Sequence, residues 1–385
     1  MSRSRLVEAP TTMTIRLCSV LLSSLALLAL THCNGAVVDA REPLDSGTAP
    51  LPDADATSEA GTEAGREAGR EAGPEAGPEA GIFTLASGQG GPALVAVDET
   101  SVYWTNSSSN TVAKVPVAGG SPTTLYSGGT GLGAAQTAPW GIAVDGTSVY
   151  WTIDGSQAGT AIGAVLKMPI EGGSPTTLVS GLEGPTTVVV DATSVYFTDS
   201  EAGTVEKVAL GGGTPKVLAT GQDYPIGIAV DGTSVYWTCQ GSLTSATGTI
   251  MKVPLDGGAP TTLASGQTAP TGTALDGTSV YWVNNDSSEG SSPNGAVKKV
   301  SKSGGAPTTL ASGLLTIQSM IAVDATSVYW TGEGVFMVPV DGGAPTTLWA
   351  GDAYAGVAVD ATSVYWTTGG AEPGNVGTIM KRTPR

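Results

Sequence analysis

An aspartate recurs seven times between residues 98 and 360, each time before the phrase x-Thr-Ser-Val-Tyr-Trp-Thr, in which Phe or Val is substituted once each. Carboxylates are the groups that general acid–base catalysis and Ca²⁺ or Mg²⁺ binding need. A functional carboxylate pair is expected once, however, and not in every copy of a repeat. Because an Asp side chain can accept hydrogen bonds from backbone NH groups two residues on, these residues are interpreted as turn caps. They are Asp98, Asp145, Asp191, Asp231, Asp276, Asp324 and Asp360.

Two consecutive aromatic residues follow each Asp, and such rings can form a cage around a cofactor. Consecutive residues of a β-strand point to opposite faces of the sheet, so each copy would direct one ring toward each neighbouring sheet. We therefore predict that these rings form the core. They are Tyr103, Trp104, Tyr150, Trp151, Tyr196, Phe197, Tyr236, Trp237, Tyr281, Trp282, Tyr329, Trp330, Tyr365 and Trp366.

Several reaction classes lack the residues that they require. His32 is the only histidine and lies in the predicted signal segment, so a mature chain would have neither a Ser-His or Cys-His nucleophile nor a His-ligated zinc. Cys239 is the only cysteine after Cys33, which leaves no disulfide within the mature domain. No catalytic residue is predicted.

Oxygen ligands occur in the connections but lack the spacing of a known cation loop. Asp154, Asn284, Asn285, Asp286 and Glu289 could each contact a metal, yet they show no EF-hand spacing. The sequence therefore predicts no metal site and no cofactor.

The seven Asp residues are separated by 36 to 48 residues, which is the length of one four-stranded blade. In the copy from 226 to 266, the apolar run Ile228–Val230 predicts an inner strand covered on both faces. Val235–Thr238, Thr249–Pro254 and Pro260–Ala264 predict three further strands, with Asp-Gly-Thr-Ser and Gly-Gly turns between them. We therefore predict an all-β, seven-bladed β-propeller of four-stranded antiparallel blades over residues 82–385.

The count of outer strands predicts how the ring closes. A phrase such as Thr-Thr-Leu follows each of the first six aromatic pairs, but none follows Trp366. The missing phrase stands at the front, at Phe83–Gly88. We predict that this segment pairs with Gly377–Arg382, which would complete the last blade and remove an exposed sheet edge.

The phrase Val-Tyr-Trp-Thr, with an upstream apolar-Asp and a downstream Gly-Gly-x-Pro-Thr-Thr-Leu, resembles the YWTD and NHL families of β-propellers over residues 82–385. The resemblance implies the fold and does not imply an activity. Only the copy from Tyr196 to Asp199 keeps the final Asp of the YWTD phrase, with Phe197 in place of Trp. YWTD propellers are usually six-bladed, whereas seven copies occur here.

A propeller has two faces, and the connections on one face vary in length much more than those on the other. The Asp-x-Thr-Ser and Gly-Gly turns, which form what we term the constant face, barely vary in length. The connections on the other side, termed the variable face, range from brief (Gly332 to Gly334) to long (Tyr126 to Pro139, Ile153 to Gly163, Asn284 to Gly295). Variable loops on a rigid scaffold commonly carry binding residues. The candidates near this face, which could alternatively fill gaps between loops, are Trp140, Asp223, Tyr224, Trp349 and Tyr354.

The charge disfavours two classes of partner. Residues 82–385 contain 22 acidic and 11 basic side chains, a net charge of −11. Phosphate backbones and anionic lipid surfaces need clustered Lys or Arg, so no nucleic-acid or direct membrane binding is predicted. The basic residues near 298–302 and 381–385 are interpreted as solvated strand edges.

Residues 1–33 are predicted to be a signal peptide, because the apolar segment from Leu17 to Leu30 is too short to span a membrane. Leu30-Thr31-His32-Cys33 resembles the bacterial lipobox, which implies lipidation of Cys33, although His32 departs from the usual small residue. A secreted form or an uncleaved signal anchor is the alternative. Residues 34–81, rich in Glu, Ala, Gly and Pro, are predicted to be a disordered linker.

These features predict an exported protein, anchored to the outer membrane on its periplasmic or cell-surface side through lipid alone, or secreted if the lipobox is not used. We expect a monomer that binds an envelope protein or a glycan. A propeller hydrolase or lyase that uses a divalent metal and carboxylates is the first alternative. An architectural spacer at the cell surface is the second.

Overall fold

The computed structural model of the chain describes residues 81–128, 138–155, 163–242, 245–285, 295–314, 320–369 and 376–385. Seven antiparallel sheets of four strands each form a ring, which confirms the predicted seven-bladed propeller. Across these residues there is no helix long and apolar enough to cross a membrane. The predicted signal peptide and nearly all of the predicted linker lie outside the described residues.

The chain enters through β1 (Gly81–Gly90), which belongs to the last blade. Blade 1 comprises β2 (Pro92–Val97), β3 (Ser101–Asn106), β4 (Thr111–Pro116) and β5 (Thr123–Ser127). Blade 2 comprises β6 (Pro139–Val144), β7 (Ser148–Ile153), β8 (Gly163–Pro169) and β9 (Thr176–Leu182). Blade 3 comprises β10 (Pro185–Val190), β11 (Ser194–Asp199), β12 (Thr204–Ala209) and β13 (Lys216–Ala219).

Blade 4 comprises β14 (Pro225–Val230), β15 (Ser234–Cys239), β16 (Gly248–Pro254) and β17 (Thr261–Gln267). Blade 5 comprises β18 (Pro270–Leu275), β19 (Ser279–Asn284), β20 (Gly295–Ser301) and β21 (Thr308–Leu314). Blade 6 comprises β22 (Ile321–Val323), β23 (Ser327–Gly332), β24 (Gly334–Pro339) and β25 (Thr346–Ala350). Blade 7 comprises β26 (Ala353–Val359), β27 (Val364–Thr368), β28 (Val376–Thr383) and, from the other end of the chain, β1.

The ring closes as the sequence predicts. Strand β1 pairs antiparallel with β28, and Phe83 lies opposite Lys381 while Gln89 lies opposite Gly377. Leu85 and Ala86 of β1 are buried in the same core cluster as Trp104 of blade 1. The first described strand therefore completes blade 7 and also packs against the seam between blade 7 and blade 1.

The aromatic pairs form the seams between blades. Each of the seven core clusters contains the Tyr of one blade and the Trp or Phe of the next, all of them at most 1 % exposed. The pairs are Tyr103 with Trp151, Tyr150 with Phe197, Tyr196 with Trp237, Tyr236 with Trp282, Tyr281 with Trp330, Tyr329 with Trp366, and Tyr365 with Trp104.

The threonine that ends the repeated phrase joins neighbouring inner strands, a role that the sequence did not reveal. Thr152 Oγ1 accepts a hydrogen bond from Gly141 N of its own blade at 2.8 Å and donates to Thr186 O of the next blade at 2.9 Å. A Cβ on Gly141 would lie 2.4 Å from Thr186 O, so the strands approach this closely only without a side chain there. Equivalent donations to the next blade come from Thr105, Thr198 and Thr367.

Candidate functional site

On the constant face, the recurrent Asp side chains are occupied by their own turns. Asp231 Oδ1 accepts hydrogen bonds from the backbone NH groups of Thr233 and Ser234 at 2.9 and 3.0 Å, and from the Thr233 hydroxyl at 2.8 Å. Its Oδ2 accepts from the hydroxyl of Tyr236 at 3.0 Å. The same four contacts recur at Asp98, Asp145, Asp191, Asp276, Asp324 and Asp360. These carboxylates therefore hold the turn and, through the tyrosine, the seam.

The shared hydrogen bond shifts the acidity of both partners. Burial raises the pKa of the Asp98 carboxyl, but the hydrogen bonds from Thr100, Ser101 and Tyr103 outweigh it, so that the pKa is lowered overall. The pKa values of the other six cap carboxyls are also lowered despite burial, by the equivalent hydrogen bonds and, at Asp231, most strongly by the hydrogen bond from Lys302. Burial, followed by the hydrogen bond to the carboxylate, raises the pKa of four of the tyrosines to about 12; they are Tyr103, Tyr196, Tyr236 and Tyr329.

These shifts predict a stability that falls at both ends of the pH scale. A carboxyl whose pKa is lowered on folding stabilises the protein above its unfolded value of 3.8, and this contribution is lost as the pH falls through the folded value. A tyrosine whose pKa is raised contributes fully below pH 10, and its contribution is lost as the pH rises through about 12. Urea unfolding across this range should show a plateau between about pH 5 and pH 9.

The variant Asp231→Asn should lose about 1 to 3 kcal/mol at neutral pH, because its donors lose a charged acceptor. It should also show a weaker fall below pH 4, since one titrating cap is gone. Asp341→Asn is the matched control, because the Asp341 side chain is 96 % exposed and lies 4.0 Å from its partner Lys299. If both variants lost stability equally, the capping role would be contradicted.

The basic residues also lie on the constant-face side. Five lysines of the third strands approach the tyrosine of their own blade, with Nζ 5.3 to 6.0 Å from the ring centroid; they are Lys167, Lys207, Lys252, Lys299 and Lys381. Most of them donate to a carbonyl of the next blade's Gly-Gly turn, as Lys381 does to Val117 O at 2.9 Å. Lys302 and Arg385 instead form ion pairs with the caps Asp231 and Asp324, at 2.9 and 3.1 Å.

Two of the five candidate residues lie near the starts of inner strands, on the variable-face side. Trp140 at the start of β6 and Tyr354 at the start of β26 are both half-buried and pack against one core cluster, which includes Leu94 and Ala355. Burial raises the pKa of Tyr354. Two aromatic side chains from blades 2 and 7 thus line one part of this face.

The other three candidates lie elsewhere. Trp349 on β25 packs at the seam between blades 6 and 7, with its ring centroid 5.7 Å from that of Trp366. Asp223 and Tyr224 lie between β13 and β14, where their carbonyls accept from the backbone NH groups of Gly241 and Gln240 at 3.1 and 3.0 Å. The structure therefore does not bring the five residues into one site, and Trp349 has a packing role.

The inner strands enclose a cavity of about 150 Å³ at the ring axis. Its lining is mainly aliphatic, and the hydroxyl residues are Thr187 and Thr273. Thr187 Oγ1 donates to Ile226 O, whereas Thr273 Oγ1 is buried and has no partner within the described residues. Among the described residues, no carboxylate lines this cavity, so the described part of its wall offers apolar contact and hydroxyl groups.

The variable-face side carries acidic residues. The described ones are Asp154, Glu183, Asp199, Glu201, Asp223, Glu333 and Asp352. Asp199 is the final Asp of the YWTD phrase, which only this copy keeps. Its side chain is buried and accepts hydrogen bonds from the backbone NH groups of Glu183, Gly184 and Ala202 at 2.9, 2.8 and 3.2 Å. The sequence did not reveal that Asp199 holds this connection, although the position stood out because the other six copies carry other residues there.

Neighbouring acidic residues on the variable-face side affect the pKa of one of their number. Burial first, and then the charges of Asp154, Asp199 and Glu183, raise the pKa of Glu201. Within the parts of the chain that the structure describes, no group of three or more His, Cys, Asp or Glu residues is placed to hold a metal ion. Cys239 is buried, which raises the pKa of its thiol.

Solved structures with the same fold are found, although no protein-family model and no curated protein matches the sequence. Virginiamycin B lyase from Staphylococcus aureus is 13 % identical, with a TM-score of 0.59, and the match covers 78 % of this chain and 98 % of that one. A streptogramin B lyase structure is 14 % identical, with a TM-score of 0.58 and coverage of 78 % and 96 %. A chain of the nidogen/laminin complex is 18 % identical, with a TM-score of 0.48 and coverage of 63 % and 89 %. At these identities the similarity shows the fold alone.

Proposed function

We propose that the protein is an exported binding scaffold whose variable face binds another protein or a glycan at the cell envelope. One observation carries this proposal: all seven Asp turns of the constant face have the same cap, whereas the connections of the variable face differ in length from blade to blade. A rigid frame with diverse loops on one side is the arrangement that binding proteins commonly use.

We further propose that the protein is lipid-anchored through Cys33. The apolar segment from Leu17 to Leu30 and the lipobox-like residues before Cys33 support export and lipidation. The position of β1 supports the orientation, because Gly81 lies opposite Thr383 at the constant-face end of blade 7. The N-terminal segment thus joins the propeller on that side, and the variable face points away from the attachment. Mass spectrometry of the native N-terminus tests this, and an unmodified Cys33 would contradict it.

Catalysis by carboxylates and a metal has less support. Two of the similar structures are lyases, but their identity to this chain is too low to transfer an activity. Within the part of the chain that the structure describes, no carboxylate lines the central cavity, and the seven recurrent carboxylates are engaged in turns. Thermal melts with Ca²⁺, Mg²⁺ or EDTA test the alternative, because a stabilising shift with either ion that EDTA reverses would favour a metal enzyme over a binding scaffold.

The binding proposal is tested by exchanging connections on the two faces. In one variant, the connections 154–162 and 285–294 are replaced by the tight turn that joins β23 and β24. We expect this variant to lose partners that the unaltered protein captures from envelope extracts. The matched control exchanges two Gly-Gly turns of the constant face with each other, which should leave capture unchanged. Retention of every partner by the first variant would refute a binding role for this face.

A further inference from the structure

The inner strands carry a ring of equivalent residues around the axial cavity. Each residue that lies three positions before a cap Asp contributes to the lining of this cavity, one from every blade. In six blades it is Val or Ile, and in blade 5 it is Thr273. We term these seven residues the girdle, which is aliphatic except at one position. Its other members are Val95, Ile142, Val188, Ile228, Ile321 and Val357.

The hydroxyl of Thr273 sets this position apart from its six equivalents. The residue is 7 % exposed, and its Oγ1 atom is buried without a hydrogen-bond partner within the described residues. Buried hydroxyls are nearly always paired, because a hydroxyl that loses water without gaining a partner destabilises the fold. Valine or isoleucine fills the same place in the other blades without that loss. The hydroxyl therefore favours a hydrogen-bond partner inside the cavity.

The side chain of Thr273 lies between the seam with blade 4 and the cavity. Its Oγ1 atom is directed at blade 4, since a Cβ built on Gly227 would lie 2.8 Å from it. Thr273 also lines the cavity, and rotation about its Cα–Cβ bond moves the hydroxyl among three staggered positions. A molecule in the cavity can thus pair with this hydroxyl through the rotation of one side chain.

The size and lining of the cavity suit a small neutral molecule. Its volume is about 150 Å³, and an apolar cavity of about this size binds benzene. Beyond the girdle, the described lining comprises aliphatic side chains, Met320, Thr187 and the backbone of Gly141 and Gly356. A charged ligand would lose its hydration there without gaining a counter-charge from these residues. The Thr187 hydroxyl already donates to a carbonyl of blade 4, which leaves Thr273 to bond with a ligand.

We propose that the axial cavity binds a small neutral alcohol or phenol, with an apolar body of about the size of benzene and one hydroxyl group that pairs with Thr273 Oγ1. The ligand would contact every blade through the girdle, so its binding should stabilise the closed ring. This proposal goes beyond the proposed function and does not rest on it, because the girdle belongs to the inner strands and not to the connections of the variable face.

Calorimetric titration of the full chain with phenol tests the proposal at pH 7, where phenol is neutral. The variant Thr273→Val removes the hydroxyl and gives blade 5 a residue that other blades use. We expect it to weaken phenol binding about fivefold or more, the effect of one lost hydrogen bond. Binding of benzene, which has no hydroxyl group, should be nearly unchanged. The matched control is Thr123→Val, the same change at an exposed position of β5, which should alter neither affinity.

The δ1-methyl resonances of isoleucine locate the probe in the unaltered protein without any variant. Phenol should shift the methyl resonances of Ile142, Ile228 and Ile321, which belong to the girdle. The resonance of Ile82, which is 45 % exposed on β1, should not move.

The melting temperature without ligand gives an independent measurement. Thr273→Val should melt at a higher temperature than the unaltered protein, because a methyl group replaces an unpartnered buried hydroxyl. A lower melting temperature would show that the hydroxyl has a partner within the fold. Absence of saturable phenol binding, or shifts confined to methyl groups outside the girdle, would show that the cavity holds water only. Each of these results, like an equal phenol affinity of Thr273→Val and the unaltered protein, would overturn the proposal.

Discussion

Deletion of residues 81–90 is expected to lower the melting temperature by roughly 10 °C or more, because it removes the outer strand of blade 7 and opens the last seam. Leu85 is 9 % exposed and packs in the cluster of Trp104 and Tyr365. Loss of one such leucine side chain alone costs about 2 to 5 kcal/mol. At about 2 to 4 °C per kcal/mol, the value for domains of 150 to 250 residues, loss of the Leu85 side chain alone would lower the melting temperature by several degrees. Loss of the whole strand should therefore lower it by roughly 10 °C or more.

Two single substitutions within β1 show whether the strand stabilises the protein through its buried side chains. Leu85→Ala should cost about 2 to 5 kcal/mol, whereas Phe83→Ala should change stability by less than about 0.5 kcal/mol because Phe83 is 51 % exposed. Differential scanning calorimetry measures both. An unchanged melt after the deletion would show that the ring does not depend on β1 for closure.

Substitution of Trp237 by Ala is expected to cost about 3 to 5 kcal/mol, the range for a buried aromatic residue replaced by alanine. Trp237 is fully buried at the seam between blades 3 and 4, in the cluster of Tyr196 and Ile228. Its Nε1 donates to Gln222 Oε1 at 3.1 Å. The variant should therefore lose packing across a whole interface between blades together with one hydrogen bond.

Trp237→Phe is the matched control, because Phe197 occupies the equivalent position in blade 3. It keeps an aromatic ring in the seam and should cost markedly less than the alanine variant, with about 1 kcal/mol attributable to the lost hydrogen bond. Urea unfolding gives both values, and a similar slope would show that the unfolded state is unchanged. Equal losses in the two variants would contradict a packing role for the ring.

The sequence by itself determined the architecture. The period of 36 to 48 residues, the alternation of the aromatic pair and the turn residues predicted seven blades, the four strands of the copy from 226 to 266 and the closing segment at Phe83, since strand alternation and turn chemistry are local properties. The number of outer-strand phrases was sufficient to place β1 beside β28, because an unfilled position in the last blade had one matching segment.

The tertiary structure alone decided the hydrogen bonds between blades and the arrangement of the candidate site. The threonine of the phrase bonds to a carbonyl of the next blade, and each cap shares its second oxygen with a tyrosine. Trp140 and Tyr354 pack on one cluster, while Trp349 covers Trp366 at another seam. The contacts between blades join residues that are distant along the chain, and the closed ring brings these residues together. The bond between a cap and its tyrosine instead depends on how two side chains five residues apart are oriented.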